Sequence, residues 1–298
     1  MDELYAAARE RGAGSLASSL LSVLNVTLVV NDRDLKRIPA CGPVVTVSNH
    51  PFGLLDGIIL DHLVQQVRPD IKVLSNSLLC SFEELKERII PVDVFADQKA
   101  TDTNLRAVRR SMQVLKSGGG LAIFPAGEVS HWQRAEGRVT DPPWSTLAVR
   151  CARAAVAPVV PIFFSGENSL TFHLAAFLHP RLRTVRLPGE LINKRGHRVE
   201  VRIGAPVRAE ELAKFDSGER ATGHLRARTY MLSHRGETAK IQRCTSFSRL
   251  ERSSVQRQLE PAWLICSQPL RICQPGAKQL SKRNNIRSMP SGAIEYRC

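Results

Sequence analysis

Val44-Val45-Thr46-Val47-Ser48-Asn49-His50-Pro51-Phe52-Gly53-Leu54-Leu55-Asp56-Gly57 is the stretch whose reading decides the fold. An apolar run ends in Asn-His-Pro, and a carboxylate follows six residues after the histidine. A strand that carries a histidine to its own C-terminal edge, beside the start of a helix, is a common way to build a general base. The residue before a proline is pushed out of the helical region, so His50 is expected to be extended. Pro51 suits the first helical position, which makes His50 roughly the cap residue. Asp56 then lies on the helix. On one continuous helix a six-residue step rotates by about 600°, so the two side chains would not share a face. They meet only if His50 stands outside the helix. The carboxylate would then accept the Nδ1 proton, fix the tautomer and leave Nε2 to take a proton. Taken alone, a His-x5-Asp is more often a capping histidine and an ordinary polar aspartate.

A second stretch, Leu121-Ala122-Ile123-Phe124-Pro125-Ala126-Gly127-Glu128-Val129-Ser130, is another strand breaking into a polar turn. Pro125 ends the strand, and Gly127 permits a tight turn or a close backbone approach to a ligand. Glu128 and Ser130 are then presented at the edge from which His50 emerges. Two polar turns at one sheet edge define a candidate cleft. A third run, Ala157-Pro158-Val159-Val160-Pro161-Ile162-Phe163-Phe164, needs no role beyond that of a core strand.

Outward from these, Val26–Val30, Ile71–Leu74, Ile89–Val92 and Val199–Ile203 read as further strands. Leu16, Leu20, Val23 and Leu24 share a helical face, open to core packing or to a membrane interface. Phe52–Val67, Thr101–Ser117 and Pro143–Ala154 read as helices, and another follows from Ala209. Ser81-Phe82-Glu83-Glu84 resembles a capping box opening a short helix. In Thr101–Ser117 the apolar face is expected at Leu105, Val108, Met112 and Leu115, and Gly118-Gly119-Gly120 ends the helix. Arg106, Arg109 and Arg110 fit a solvated face as well as a ligand. The alternation predicts an α/β fold with a mixed, mostly parallel sheet flanked by helices. The expected organisation is an N-terminal helix over 1–25, one domain over 26–230 and a basic tail over 231–298. The tail has no steady period and is expected to be disordered, and a frameshifted reading-frame end would also explain its composition.

The formal net charge is +14 over 298 residues. From Ser233 onward there are 12 Lys/Arg against 4 Asp/Glu, so most of the excess lies in the tail. A basic chain seeks nucleic acid, membrane surface or phosphorylated substrates. No nucleic-acid module or aromatic-interleaved basic patch is present, so no specific nucleic-acid partner is expected. The seven cysteines are odd in number and form no C-x2-C pair, which suggests neither a disulfide framework nor a zinc site. Met1-Asp2-Glu3-Leu4 lacks the basic region that opens a signal peptide, so none is expected, and Leu20–Val30 is too short to span a bilayer. The histidines lack metal-ligand spacing, and no metal is expected.

The ordered set NHPFGLLDG, FPAGEVS and VVPIF resembles the glycerophospholipid acyltransferase family, most closely its bacterial hemolysin-like, lyso-ornithine-lipid acyltransferase branch. Gly166-Glu167-Asn168-Ser169, Leu178-His179-Pro180 and Asn193-Lys194-Arg195-Gly196 resemble that branch too. The resemblance implies transfer of an acyl group from acyl-CoA or acyl carrier protein to the free hydroxyl of a lysolipid, on the cytoplasmic face of the membrane. It needs no cofactor beyond that co-substrate. His50 would be the base and Asp56 its orienting partner. Asn49, Phe124, Pro125, Gly127, Glu128 and Ser130 would contact substrate, and backbone N–H groups near Gly127 would meet the developing oxyanion. The chain departs from the family in two places. Five residues rather than four separate His50 from Asp56, which requires an adjustment near Gly53. Ala126 and Val129 stand where the wider family has Glu and Arg. That arginine grips phosphate, so a lysophosphatidate acceptor is put in doubt unless Arg134 or Arg138 substitutes, and Glu128 could meet a cationic head group. The rival reading is a relative that has lost catalysis and binds lipid or scaffolds a membrane complex.

Overall fold

The computed structural model describes residues 2–11, 14–76, 83–92, 98–178, 180–235 and 240–243. Its strands are β1 (Thr27–Val30), β2 (Val44–Ser48), β3 (Lys72–Asn76), β4 (Ile89–Val92), β5 (Gly120–Ile123), β6 (His131–Gln133), β7 (Arg138–Thr140), β8 (Val159–Phe164), β9 (Arg198–Ile203) and β10 (Lys240–Arg243). The helices are α1 (Asp2–Glu10), α2 (Leu16–Val23), α3 (Asp32–Leu35), α4 (Leu54–Val67), α5 (Glu83–Lys86), α6 (Gln98–Lys116), α7 (Leu147–Ala155), α8 (Leu170–Leu178), α9 (Pro180–Asn193), α10 (Ala209–Ala213) and α11 (Gly218–Met231).

Eight strands form one sheet in the order β10-β1-β9-β8-β2-β5-β3-β4, and β6 and β7 form a separate hairpin. The sheet is parallel except at β1–β10 and β8–β9. The expected mixed, mostly parallel α/β architecture is therefore what this chain adopts. β2 is its central strand. All five residues from Val44 to Ser48 are buried, as a strand covered on both faces requires. The alternation along β2 divides the core in two. Val44 joins Leu21 and Leu24, together with Leu55, Ile59, Leu60 and Leu63 of α4, on one side. Val45 and Val47 join Ala107, Val114 and Leu115 of α6, with α7 and α11, on the other. Burying each leucine or isoleucine of α4 stabilises the fold by about 1.5–3 kcal/mol.

Several local expectations are corrected. α4 starts at Leu54 with Gly53 as its cap, rather than at Pro51 with His50 as cap. The buried side of α6 is Ala107, Ser111, Val114 and Leu115, while Leu105 is exposed. α2 packs inward through Ala17, Leu21 and Leu24, and Leu20 and Val23 rest against the same cluster. The β6–β7 hairpin and helices α8 and α9 were not foreseen. Structure also continues past Tyr230, because β10 pairs antiparallel with β1 in the register Val30↔Lys240. Ser81 and Phe82 of the expected capping box, and the tail from 244 onward, lie outside the described residues.

Candidate active site

Three adjacent parallel strands, β8, β2 and β5, end at one edge of the sheet. The turn after β2 carries His50, the turn after β5 carries residues 124–130, and the segment after β8 leads into α8. The predicted convergence of the first two turns is present, and the backbone N–H of Ser130 donates to the His50 carbonyl at 2.8 Å.

His50 Nδ1 lies 3.0 Å from Asp56 Oδ2, with the imidazole 18% exposed and the carboxylate fully buried. As the spacing demanded, His50 stands outside the helix. At this ring orientation the contact is out of line for a strict hydrogen bond. Asp56 Oδ2 also accepts the backbone N–H groups of Phe52 at 2.8 Å and Gly53 at 2.9 Å. Burial pushes the Asp56 carboxyl above the usual carboxylate range, while the His50 ring and those two N–H groups pull it down. The His50 ring stacks on Phe124, with centroids 4.1 Å apart and an interplanar angle of 29°.

Gly53, near which the longer spacing between His50 and Asp56 was expected to require an adjustment, caps α4. Its φ of 80° and ψ of −109° form a glycine conformation. A Cβ there would stand 2.8 Å from Leu187 Cδ2 and 3.0 Å from Val129 Cγ2. Val129 thus fills the space between the two turns with an apolar side chain.

Other expected contacts have different partners. Asn49 is buried, donates to the Phe164 carbonyl at 2.9 Å and accepts the Phe164 N–H at 2.8 Å. It clamps β2 to β8 rather than facing the cleft. Ser130 is likewise buried, with its hydroxyl donating to Asp141 Oδ1. Pro125 is buried, and its carbonyl accepts the Ser145 N–H at 2.8 Å. Gly127 makes the tight turn at a φ of 68°. Its N–H donates to the Phe124 carbonyl at 3.0 Å, so that group is committed to the turn and not to an oxyanion. Glu128 meets a cation, but from within the chain: Arg183 Nη2 donates to its Oε2 at 2.6 Å. Arg138 is held by Glu136 on the β6–β7 hairpin. Arg183 of α9 thus reaches the second turn.

Sequence reasoning missed three contributors. Asp141 lies under both turns: it accepts the His50 N–H at 3.1 Å, the Ser130 hydroxyl, and Trp144 Nε1 at 2.8 Å. Lys194 sets its ammonium 5.0 Å from the Phe52 ring centroid and donates to the Glu167 carbonyl at 2.7 Å. Burial lowers its affinity for a proton, while the carboxylates of Glu190, Asp56 and Glu167 raise it. Arg183 Nη1 lies 2.8 Å from His131 Nδ1. Lys194 lay inside a motif that was noticed, whereas Asp141, in Asp-Pro-Pro-Trp, had only an unremarked context.

A separate hollow of about 540 Å3 lies against β4 and α6, lined by Lys72, Lys86, Arg106 and Arg110 among others. β5 and β3 separate β4 from β2 in the sheet. No cluster of side chains among the described residues has the make-up of a metal site.

The family described as Acyltransferase matches residues 19–238, and the chain belongs to it. It is 26% identical over 186 residues to the lyso-glycine lipid O-acyltransferase of Phocaeicola vulgatus, covering 60% of this chain and 64% of that protein. The enzyme of the same name from Bacteroides thetaiotaomicron is 26% identical over 185 residues, covering 60% of this chain and 65% of the relative. The chain thus spans slightly less than two thirds of either relative. Among solved structures, the 1-acyl-sn-glycerophosphate acyltransferase PlsC of Thermotoga maritima aligns with a TM-score of 0.48 and 17% identity, over 80% of this chain and 81% of that one.

Proposed function

We propose that this chain transfers a fatty acyl group from a thioester, acyl-CoA or acyl carrier protein, to the free hydroxyl of a lysolipid. The observation that carries the proposal is the 3.0 Å approach of a buried carboxylate to Nδ1 of a partly exposed histidine at the sheet edge. Asp56 holds the imidazole with Nδ1 protonated, so that Nε2, on the opposite edge, takes the hydroxyl proton. The alcohol oxygen attacks the thioester carbonyl, the C–S bond breaks, and His50 returns the proton to the leaving thiolate. Ester and thiol are the products, and no acyl-enzyme is formed. An alcohol attacks slowly until a base removes its proton, and such a base contributes typically about 10²–10⁴-fold.

Arg183 reaches the second turn through Glu128 and His131, and a guanidinium there would pair with a carboxylate or a phosphate head group alike. The names of the two relatives, both lyso-glycine lipid O-acyltransferases, are what favour an amino-acid-containing lysolipid as the acceptor. The reaction takes place at the inner face of the membrane, where lysolipid and donor meet. The test is thiol release from acyl-CoA and from acyl carrier protein, measured with lyso-glycine lipid, lyso-ornithine lipid and lysophosphatidate. Wild type should release thiol and His50→Ala should not. Equal rates for the two proteins would remove His50 as the base.

A further inference from the structure

Nine large apolar side chains are exposed among the described residues, and five of them lie in the α8–α9 hairpin: Leu170, Leu174, Leu182, Val185 and Ile192. The two helices pack against each other and divide their faces sharply. On α9, Arg183, Leu187, Glu190 and Leu191 share one side and turn inward, as does Lys194 just past the helix end. Leu187 lies beside Gly53, and Glu190 and Leu191 are buried. Val185 and Ile192 fall on the opposite side, exposed by 75% and 47%. α8 buries Phe172 and presents Leu170 and Leu174 outward. Exposed apolar side chains gathered on one helical hairpin in this way point to an interaction site.

The charge around it is positive. Residues 165–198 carry six Arg/Lys against two Glu, of which Arg183 and Lys194 are buried, turn inward and add nothing to the outer face. One of those glutamates, Glu190, is buried and accepts the Ser169 N–H at 3.0 Å. Arg186 and Arg195 are exposed. Basic side chains flanking outward leucines, valine and isoleucine suit an anionic bilayer surface, into which such helices sink an apolar face by about 5–10 Å. α2, the helix whose sequence left a membrane role open, has no large apolar side chain among the exposed ones. No helix among the described residues is long and apolar enough to cross a membrane.

We infer that the outer face of the α8–α9 hairpin is the surface on which this protein docks on an anionic phospholipid bilayer. The inner face of the same hairpin borders the His50 turn, so docking sets the mouth of the site at the lipid. This rests on the lysolipid reading above, but its test is separable. Flotation with phosphatidylcholine vesicles, with and without phosphatidylglycerol, should carry wild type upward and more strongly with the anionic lipid. A Leu174→Glu/Val185→Glu/Ile192→Glu variant should stay at the bottom, while Leu105→Glu/Met231→Glu, changed elsewhere on the surface, should float. On acceptor embedded in vesicles the hairpin variant should lose more than about tenfold in kcat/KM. On a short-chain, monomeric acceptor it should keep activity within about twofold of wild type, which also shows that it is folded. Flotation of the variant equal to wild type would overturn the inference. So would a change in its sedimentation without lipid, since the face would then be covered by a second copy of the chain. Absence of thiol release from wild type on any acceptor, with flotation intact, would instead strike the acyl-transfer reading.

Discussion

One oxygen of Asp141 accepts both the backbone N–H of His50, at 3.1 Å, and the hydroxyl of Ser130. These two acceptances tie the turn after β2 to the turn after β5, and the other oxygen ties both to Trp144. Asp141→Ala would leave three buried donors without an acceptor. A hydrogen bond to a charged group contributes about 1.5–3 kcal/mol, so the loss should reach about 3 kcal/mol or more. Urea denaturation would read this as a lowered midpoint. Asp141→Asn should fall between, because its amide oxygen keeps one set of bonds while its NH2 faces another donor.

Asp56 gives a pH signature of definite sign. Burial raises its native pKa, so the folded chain holds the proton to higher pH than the unfolded chain, whose carboxyl titrates near about 3.9. Stability from this group is full below the unfolded value and is lost as pH rises through the native one. Asp56→Asn has nothing to lose there. Its stability relative to wild type should therefore climb from about pH 4 upward and then level off, as read by denaturant midpoints across pH. Activity should move the other way, with kcat reduced by about 10²–10⁴-fold at every pH tested. A variant that gains stability while losing turnover would mark Asp56 as a group held in a costly place for its effect on His50.

Gly53 combines a glycine-only conformation with close neighbours, so the two causes can be separated. Gly53→Ala should cost about 1–3 kcal/mol through its backbone. The 2.8 Å approach to Leu187 Cδ2 involves the far end of a flexible side chain and should relax easily. Adding Leu187→Ala should therefore restore little of the stability. Full recovery in the double variant would place the cost in crowding instead.

The parts of this molecule legible in its sequence are those whose signal is local. β2 was readable to the residue because it is a continuous buried run bounded by Gly42-Pro43 and Asn-His-Pro. His50 and Asp56 followed from proline stereochemistry and helical rotation, although the cap was misplaced by three residues. The sequence had no means of showing that Gly53 takes a positive φ. α9 escaped notice because Pro188 and Gly189 sit inside it and normally end a helix. α8 carries apolar residues on its outward side as well as its inward one, which erases the period that marks a surface helix. Asp141 is separated from His50 by 91 positions, and only the fold brings them together. Asn49 and Ser130, expected to contact substrate, are engaged by Phe164 and Asp141 for the same reason: a polar residue in a site-forming turn can serve a distant part of the chain as readily as a ligand.

Arg183 and Glu128 form a pair whose side chains are 11% and 52% exposed. Half-solvated pairs of this kind contribute about 0–1 kcal/mol, so Arg183→Ala should change stability little. Its effect should appear in recognition. With the guanidinium gone, Glu128 and His131 lose their shared partner beside the His50 turn, and KM for an acceptor bearing a carboxylate should rise several-fold while kcat on a short-chain acceptor holds. Arg183→Lys should recover only part, since an ammonium cannot reach both partners in the guanidinium's planar geometry. A fall in kcat with KM unchanged would instead place Arg183 in the support of His50.

Asn49 separates a strand clamp from a lipid contact. Its amide meets both the N–H and the carbonyl of Phe164 in a buried setting. Asn49→Ala leaves that N–H and carbonyl without partners, at about 1–3 kcal/mol for each unsatisfied group. The loosened junction lies one residue from His50, so kcat should fall as the base loses its fixed position against Phe124. KM for the lysolipid should stay within about twofold, because no part of the amide faces the acceptor in the clamp. Thermal unfolding and steady-state kinetics on the same preparation decide the matter. A lowered Tm with a reduced kcat supports the clamp. An unchanged Tm with a raised KM would return Asn49 to the substrate.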